Sequence, residues 1–301
     1  MKLTEGKTQW VFLLASSNKV EERHVYDIGF GVHCLEKKKV NPDNITLIIQ
    51  DDDGTASLLM QRFSDHPYRI HTVFDLGSII ANPSYDNLML FITGHGSIEG
   101  IDFTPHIKPY QLLSYIQDAR NLHTAVVYFG QCYAGIFHYM PASRKDRGDG
   151  TSTAEIIGIG AANLYNSISS PMTVFPKSQN ELSWSANMFL FHTFLGILHS
   201  VDVDGDGKFT VMDAYKFAAG QTNSHQTKMK SGQLLKIRTL YTELELIEQK
   251  LSAEDIKSPD HFKYKQDYEA IITQIYWLSG LQFNHQESWV LNSNPAQIIE
   301  I

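Results

Sequence analysis

Five short apolar runs recur through the first half of the chain, at residues 10–15, 45–49, 88–93, 125–129 and 156–161. Each run has the length of a β-strand and ends at polar or glycine-rich residues. Continuous apolar runs of this length are typical of strands that are buried on both faces. The pattern therefore predicts the strands of a sheet that is covered on both sides.

Helix-compatible segments separate these runs, at residues 25–38, 109–119 and 133–139. Alternation of strands and helices favours an α/β fold with a mainly parallel sheet flanked by helices. In open sheets of this kind, ligands bind in the crevice outside the carboxyl ends of the strands. Residues directly after each apolar run are therefore the first candidates for chemistry.

The pattern changes in the second half of the chain. Residues 182–221 are interpreted as an apolar helix, an Asp/Gly-rich loop and another helix, and residues 230–251 carry an amphipathic stripe. A linker at residues 252–259 precedes a second helical segment at about 263–278. We predict three segments, which are a core at 1–200, a loop with its exit helix at 201–228, and a helical extension at 229–301.

Composition narrows the function classes. The 301-residue chain carries 25 Lys and Arg against 33 Asp and Glu, a net charge of −8, and has two cysteines. Two thiols cannot build a disulfide framework, and an acidic chain lacks the basic footprint of a nucleic-acid binder. The apolar run at 10–15 is too short to span a membrane. We expect a cytoplasmic protein, although a specialised export signal would not be visible in this pattern.

A histidine and a cysteine follow two of the predicted strands. The run at 88–93 leads into Gly94, His95 and Gly96, and the run at 125–129 leads into Gly130, Gln131 and Cys132. If these strands are neighbours, an imidazole and a thiol meet at one edge of the sheet, which is what a cysteine nucleophile requires. Taken singly, each residue could equally be a satisfied loop histidine or a buried small side chain.

These motifs resemble those of the caspase-like clan of cysteine peptidases, and within it the legumain and GPI-transamidase branch. Residues 90–96 are similar to that branch's apolar strand with His-Gly, and residues 127–132 to its strand with the nucleophile. The branch's first strand resembles residues 10–15, which are followed by Ser17 and Asn18. Its Arg-His pair resembles residues 22–24, and its second strand resembles residues 44–52. Residues 161–163 and 184–187 are similar to the segment that leads into its substrate pocket.

The resemblance implies cleavage of peptide bonds through a thioester, with Cys132 as nucleophile and His95 as general acid and base. The backbone N–H groups of Gly96 and Cys132 would hold the oxyanion. The family residue that orients the histidine falls on Glu21. A carboxylate can accept the imidazole N–H, but a solvated glutamate at a helix start is the alternative.

The same resemblance implies a substrate pocket. Arg23 matches the arginine that contacts the side chain before the cleaved bond, Ser185 matches a wall of that pocket, and Gln131 resembles a polar residue beside the caspase nucleophile. The position two before the nucleophile, which is acidic in legumain, is Gly130 here. An arginine with fewer opposing carboxylates favours an anionic side chain. We therefore expect cleavage after Asp, or after Asn and Asp.

A twelve-residue segment at 202–213 fits the calcium loop of an EF-hand. Gly207 occupies the sixth position, where a sharp turn is required, and the oxygens of the pattern come from Asp202, Asp204, Asp206, the Lys208 carbonyl, Thr210 and Asp213. The last position is Asp instead of Glu, so weaker or Mg²⁺-compatible binding is the alternative. The segment predicts one Ca²⁺ site, structural or coupled to the adjacent pocket.

Three functions remain open from the sequence. The leading expectation is a cysteine endopeptidase, which would act on a protein or peptide substrate. A transamidase or peptide ligase is the second, because an amine can open the thioester as well as water can. A calcium-responsive adaptor without turnover is the third, and the C-terminal helices would be the place for a regulatory partner.

Overall fold

The structure, a computed structural model, describes residues 2–51, 53–177 and 181–301. Asp52, the last residue of the segment that resembles the family's second strand, lies outside the described residues. The strands are β1 (Thr8–Ala15), β2 (Ile45–Ile49), β3 (Ile70–His71), β4 (Asn87–Gly94), β5 (Gly96–Ser97), β6 (Gly100–Ile101), β7 (Thr124–Phe129), β8 (Glu155–Gly160), β9 (Ser169–Val174), β10 (Leu182–Asn187) and β11 (Trp289–Leu291).

The α-helices are α1 (Glu22–Lys37), α2 (Thr55–Met60), α3 (Leu76–Ile80), α4 (Pro109–Asp118), α5 (Met188–His199), α6 (Val211–Ala253), α7 (Pro259–Phe283) and α8 (Ser293–Ala296). Short 3-10 helices span Pro42–Asn44, Val73–Asp75 and Ala134–Tyr139. The last of these replaces the α-helix-compatible segment that the sequence indicates at 133–139.

Seven strands form the central sheet, in the order β3-β2-β1-β4-β7-β8-β11. Neighbours are parallel except for β11, which pairs antiparallel with β8. All five predicted strands are present in this sheet, and the predicted class of a mainly parallel sheet flanked by helices is confirmed. Parallel pairing follows from the helical crossovers between the strands, because such connections return the chain to the same end of the sheet.

Both faces of the sheet are buried, as the continuous apolar runs require. On one face Leu90 packs in a cluster with Leu112 and Ile116 of α4. On the other face Phe12 packs against Phe194 of α5, with ring centroids 5.8 Å apart. Gly31 of α1 allows this close packing, because an added Cβ would lie 2.5 Å from the Phe12 ring. Helix α1 is thus held directly against β1.

Residues 182–187 correct the sequence interpretation, which placed an apolar helix from residue 182. These residues form β10 and pair antiparallel with β9, and α5 begins only at Met188. Trp184 and Ala186 are buried and alternate with exposed Ser183 and Ser185. That alternation has the period of a half-buried strand, not of a helix. Ser185 therefore lies on a strand two residues before the cap of α5.

The chain divides into two compact units, Met1–Thr222 with Gln286–Ile301, and Asn223–His285. These units differ from the three predicted segments, because the loop at 202–213 and the last residues of the chain belong with the sheet. Strand β11 pairs with β8, and the Ile301 N–H donates to the Phe209 carbonyl. The C-terminal stretch 229–301 is thus helical only as far as residue 283, apart from the four-residue helix α8.

The second unit is an antiparallel pair of helices, formed by α7 and the part of α6 after residue 222. Its small core contains Ile237, Leu240, Leu244 and Ile275. The Gln282 side chain donates to the Lys230 carbonyl at 2.9 Å, which links the two helices. The amphipathic stripe that the sequence shows on residues 230–251 is therefore accounted for by packing within this pair.

Trp289 anchors β11 and gives a stability test. Its indole is buried, donates to the Ala162 carbonyl at 2.9 Å and stacks on Phe129. Trp289→Ala should lower the free energy of unfolding by about 3–5 kcal/mol, because a large aromatic is lost from a packed site. Trp277→Ala is the matched control, since that indole is 74% exposed. Urea unfolding of both variants checks this, and equal losses would contradict the packing described for β11.

Candidate active site

The His95 and Cys132 segments lie side by side because β4 and β7 are parallel neighbours. Ile92 pairs with Phe129 in this register. His95 follows Ile92 by three residues, and Cys132 follows Phe129 by the same number. The Gly130 N–H donates to the Ile92 carbonyl at 2.8 Å, which extends the pairing beyond the last residue of β7. The expected adjacency of the two strands is thus confirmed.

Gly96 lies in direct contact with the cysteine segment. A Cβ at this position would come within 2.4 Å of the Cys132 carbonyl oxygen and 2.6 Å of Gln131 Cγ. Only glycine therefore permits the two loops to approach this closely. Gln131 itself is buried, and its amide atoms have no hydrogen-bond partner among the described residues. The structure does not place the Gln131 side chain in an open pocket.

Backbone geometry holds Cys132 at a sharp turn. Tyr133, the next residue, has φ of 55°, a left-handed conformation that is uncommon for a non-glycine residue. Its N–H donates to the Tyr165 carbonyl at 2.8 Å, and the 3-10 helix Ala134–Tyr139 follows directly. Strained backbone of this kind persists only where the surroundings hold it. The half-buried Cys132 is thus fixed between a strand and a helical turn.

The two cysteines differ sharply in environment. Cys34 is completely buried on α1, and burial raises the pKa of its thiol far above the ordinary value. A thiol in such surroundings is unreactive, because the thiolate is the nucleophilic form. Cys132 is only partly buried. The accessible thiol of the chain is therefore the one at the strand end.

Glu21 connects His95 to Arg23. His95 Nε2 lies 2.6 Å from Glu21 Oε1, and Arg23 Nε lies 2.6 Å from Glu21 Oε2. The hydrogen bond from Arg23 and that from His95 lower the pKa of Glu21 to about 2, although burial acts in the opposite direction. The carboxylate is therefore ionised and accepts both bonds. This assigns the proton of a neutral His95 to Nε2 and leaves the lone pair on Nδ1.

Beneath His95 lies His24, which the sequence indicates only as part of the Arg-His pair at residues 22–24 and to which it assigns no role of its own. The His24 ring is buried and packs edge-on against His95, with ring centroids 5.2 Å apart. His24 Nδ1 lies 3.5 Å from Thr93 Oγ1 and 3.6 Å from Asp27 Oδ2. Thr93 Oγ1 in turn donates to Asp27 Oδ2 at 3.1 Å. The imidazole of His95 thus lies above a small buried polar network.

Asp27 connects this network by hydrogen bonds to residues in the second half of the chain. Its Oδ1 accepts the Trp184 indole N–H at 2.9 Å and the Asn187 backbone N–H at 3.1 Å. The Asn187 side chain caps α5 by accepting from the Leu190 N–H, and it donates to the Gly130 carbonyl at 2.6 Å. A clue in the sequence is that Asp27 is the one charged residue in the stretch 25–32 of α1, since a carboxylate among apolar residues requires partners when it is buried.

Of the predicted pocket residues, Arg23 contacts the β9–β10 ribbon and Ser185 is part of it. A terminal nitrogen of Arg23 donates to Ser169 Oγ at 3.3 Å, at the start of β9. Ser185 is exposed on β10 and pairs with Pro171. Ser169 pairs with Asn187, so Arg23 contacts the ribbon two residue pairs from Ser185. Arg23, Glu21 and His95 are therefore brought together, and Ser185 lies further along the same ribbon.

The loop at 202–213 folds around its acidic side chains. One carboxylate oxygen each from Asp202, Asp204 and Asp206 lies within 4.8 Å of the other two. Asp202 accepts hydrogen bonds from the N–H groups of Gly205 and Gly207, at 2.7 and 2.8 Å. Gly207 has φ of 86°, so the sixth position uses the left-handed conformation that favours glycine. The backbone thus turns the three carboxylates toward a common point.

Thr210 and Asp213 close this loop. Asp213 Oδ2 accepts from the Thr210 hydroxyl at 2.6 Å, and the Asp213 N–H donates back to that hydroxyl. Burial would raise the pKa of Asp213, but hydrogen bonds from Thr210 and the Val203 backbone outweigh it and lower the pKa. Lys216 Nζ lies 3.1 Å from Asp204 Oδ2. The lysine ammonium is therefore a cation already present beside the cluster.

Comparison with known protein families and with curated proteins found no match. Among the described residues, no helix has both the length and the apolar character needed to cross a membrane.

The Glu21 carboxylate should make the free energy of unfolding decrease as the pH is lowered. Its pKa is about 2, below the ordinary 4.5, so its stabilising effect is complete above pH 4.5 and is lost as pH falls toward 2. Glu21→Gln should lower the free energy of unfolding by no more than about 1 kcal/mol at pH 6, because the pair is half-exposed, and the difference should vanish near pH 2.

Thermal unfolding of both proteins across this pH range measures the difference. Glu99→Gln, which changes an exposed glutamate, is the control. A loss for Glu21→Gln that stays constant with pH would show that the carboxylate is not held in its ionised form by Arg23 and His95.

Proposed function

We propose that this protein is a cysteine endopeptidase of caspase- and legumain-like fold, with Cys132 as nucleophile and His95 as general acid and base. One observation carries the proposal. An accessible thiol and an imidazole held by a carboxylate follow two adjacent parallel strands at the same offset from paired residues. Juxtaposition of these groups at the carboxyl edge of a sheet is the arrangement that activates a cysteine.

In this mechanism the Cys132 sulfur attacks the carbonyl carbon of the scissile bond. The thiol proton passes to His95, and Nδ1 is the ring nitrogen that takes it, because Nε2 is bonded to Glu21. His95 then protonates the leaving amine, the C–N bond breaks and a thioester remains. Water, deprotonated by His95, attacks the thioester carbonyl, and the released thiol regains its proton. Glu21 is a positioning residue that fixes the imidazole tautomer.

The oxyanion of each tetrahedral intermediate would be held by the N–H groups of Gly96 and Cys132. The contact between Gly96 and the Cys132 segment places these two backbone stretches against each other. Removal of a comparable donor elsewhere costs on the order of 100-fold or more in rate. A side chain at Gly96 would separate the two segments, so the glycine supports this role by its size.

For specificity we propose that Arg23 contacts the substrate side chain before the cleaved bond. Its guanidinium has five N–H donors, and its Nε and one terminal nitrogen contact Glu21 and Ser169. The remaining donors can bind a carboxylate or a carboxamide. Exposed Ser185 on the same ribbon supplies a polar wall. These groups favour Asp or Asn, and the buried Gln131 side chain is not included in the pocket.

We further propose that the loop at 202–213 binds one calcium ion, through Asp202, Asp204, Asp206, the Lys208 carbonyl, Thr210 and Asp213. The residues fit such an ion, because three carboxylates already converge and the backbone N–H groups of the loop orient Asp202. Hard oxygen ligands of this number are what Ca²⁺ prefers. Bound calcium would offset two of the negative charges of these carboxylates and stabilise the start of α6.

The nucleophile is tested by comparing the two cysteines. Cys132→Ala should abolish cleavage of a peptide library, whereas Cys34→Ala should keep it, because Cys34 is buried and unreactive. A peptidyl electrophile should label wild type and Cys34→Ala once and leave Cys132→Ala unlabelled. Full cleavage by Cys132→Ala would overturn the proposed nucleophile. Absence of both selective labelling and turnover in the wild type would favour the adaptor alternative, because a non-catalytic scaffold should not react selectively.

The same library decides between the remaining alternatives. Cleavage after Asp or Asn supports the pocket that contains Arg23, and cleavage only after Lys or Arg contradicts it. A peptide amine added as a second substrate tests the transamidase and ligase alternative. Formation of ligated products in place of hydrolysed ones would favour that alternative, because the amine then opens the thioester instead of water.

Calcium binding is tested on metal-free protein by calorimetric titration. Asp204→Asn should weaken binding about tenfold or more, because a charged ligand is lost. Lys216→Gln should strengthen binding by up to about fivefold, because an exposed competing ammonium is removed. Asp255→Asn is the control, since Asp255 also accepts a local backbone N–H, from Lys257, but lies outside the loop. Equal affinities for all four proteins would contradict the site.

Coupling of the loop to the pocket is tested in the same metal-free protein. Addition of calcium should raise the rate of peptide cleavage, because α5 connects the loop to the Asn187 cap beside Gly130. Unchanged cleavage on saturation of the loop would show that the ion acts only on stability.

A further inference from the structure

Three possible metal ligands converge at the proposed catalytic histidine. One ligand atom each from Glu21, His24 and His95 lies within 4.8 Å of the others. Glu21 and His95 are half-exposed, whereas His24 lies beneath them and is 5% exposed. The peptidase mechanism uses Glu21 and His95 but gives His24 no part in proton transfer. The proposed peptidase mechanism therefore does not explain why a buried histidine contacts His95.

His24 has one ring nitrogen that nothing in the described chain satisfies. Nδ1 lies near Thr93 and Asp27, but Nε2 is buried and has no hydrogen-bond partner among the described residues. Because Thr93 Oγ1 donates to Asp27, its lone pair is available to accept the Nδ1 proton of His24. The neutral ring then carries an unused lone pair on Nε2. A buried polar atom without a partner is costly, and a bound ion would satisfy it.

Neighbouring polar groups orient His24 and Glu21 in the way that is usual for metal-binding histidines and carboxylates. Metal-binding histidines usually direct their other nitrogen to a carboxylate or carbonyl, and His24 Nδ1 lies 3.6 Å from Asp27 Oδ2. Glu21 uses Oε2 for Arg23, so Oε1 can leave His95 for an ion while Arg23 still orients the carboxylate. The ligand set thus has its outer partners in place.

A cavity of about 110 Å³ opens beside the cluster, and its walls include Glu21, His24, His95 and Asp102. This volume has room for an ion together with bound water. Two imidazoles and one carboxylate are the ligands of many zinc sites, in which water completes a tetrahedron. Imidazole nitrogens select ions of this class, whereas Ca²⁺ and Mg²⁺ prefer an all-oxygen set such as the loop at 202–213.

We propose that Glu21, His24 and His95 bind a divalent transition-metal ion of the zinc class, separate from the calcium loop, and that this ion reversibly inactivates the protein. Binding displaces the hydrogen bond between Glu21 and His95, and the ion takes the lone pair of His95 Nε2. The proton of His95 then resides on Nδ1, so Nδ1 can no longer accept the thiol proton of Cys132. The inhibitory part rests on the proposed peptidase function, whereas the binding part does not.

Binding is tested with metal-free full-length Cys132→Ala, which removes the thiolate as a ligand. Co²⁺ should give the visible absorption of a tetrahedral site, and Zn²⁺ should displace it at one equivalent in the presence of excess Ca²⁺. His24→Gln in this background should weaken Zn²⁺ binding at least tenfold. His33→Gln should not, because that half-buried histidine lies elsewhere on α1.

His95→Ala provides a second test, since this half-exposed side chain can be removed without disturbing the core. It should also weaken binding at least tenfold. Loss of the site in Cys132→Ala, or unchanged Zn²⁺ affinity in both His24→Gln and His95→Ala, would overturn the proposal. If wild type cleaves peptides, Zn²⁺ should inhibit it with a midpoint equal to the measured dissociation constant. Absence of cleavage in the metal-free protein would count against the peptidase function and leave the binding result standing.

Discussion

The buried carboxylate of Asp27 is the constraint on which the arrangement of the site depends. A carboxylate removed from water is costly unless it is hydrogen-bonded, and Asp27 accepts from Thr93, Trp184 and Asn187. These donors come from the end of β4, from β10 and from the start of α5. Helix α1 can therefore take only one position relative to these three elements. Glu21, Arg23 and His24, at the beginning of that helix, are positioned by the same bonds.

Asn187 connects Asp27 to the segment that contains the proposed nucleophile. Its side chain donates to the Gly130 carbonyl, two residues before Cys132, and also caps α5. The twelve residues of α5 then lead to the acidic loop, which begins at Asp202. A hydrogen-bonded cap at one end and the proposed calcium loop at the other make α5 a continuous connection between the two proposed sites. Any effect of an ion on catalysis has this physical route available.

Much of the sheet was predictable from the sequence, because five of its strands are continuous runs of apolar residues that are bounded by polar or glycine-rich residues. Strands β9 and β10 were not predicted, since they are half-exposed and contain serine, proline and threonine. Strand β11 is three residues long and joins the sheet after two long helices. Its position depends on packing of Trp289, which no local pattern shows.

The candidate site divides in the same way. His95 and Cys132 were found because strand ends in a parallel sheet meet at one edge, a rule that uses only local sequence and topology. The hydrogen bonds of Asp27 join residues that are 66, 157 and 160 positions apart along the chain. Contacts over such long separations cannot be predicted from the spacing of residues in the sequence. Glu21 and Arg23 entered through family resemblance alone, and their contacts with His95 and Ser169 are long-range as well.

One set of physical properties underlies both proposed roles of His95. A general base needs an accessible imidazole, a free lone pair and a carboxylate that fixes the ring. A metal ligand needs the same three properties, so chemistry alone does not separate the two roles. His24 makes the difference, because a proton-transfer pair gains nothing from a second buried lone pair, whereas an ion gains a third ligand. The presence of that histidine beneath His95 is therefore better explained by metal binding than by catalysis.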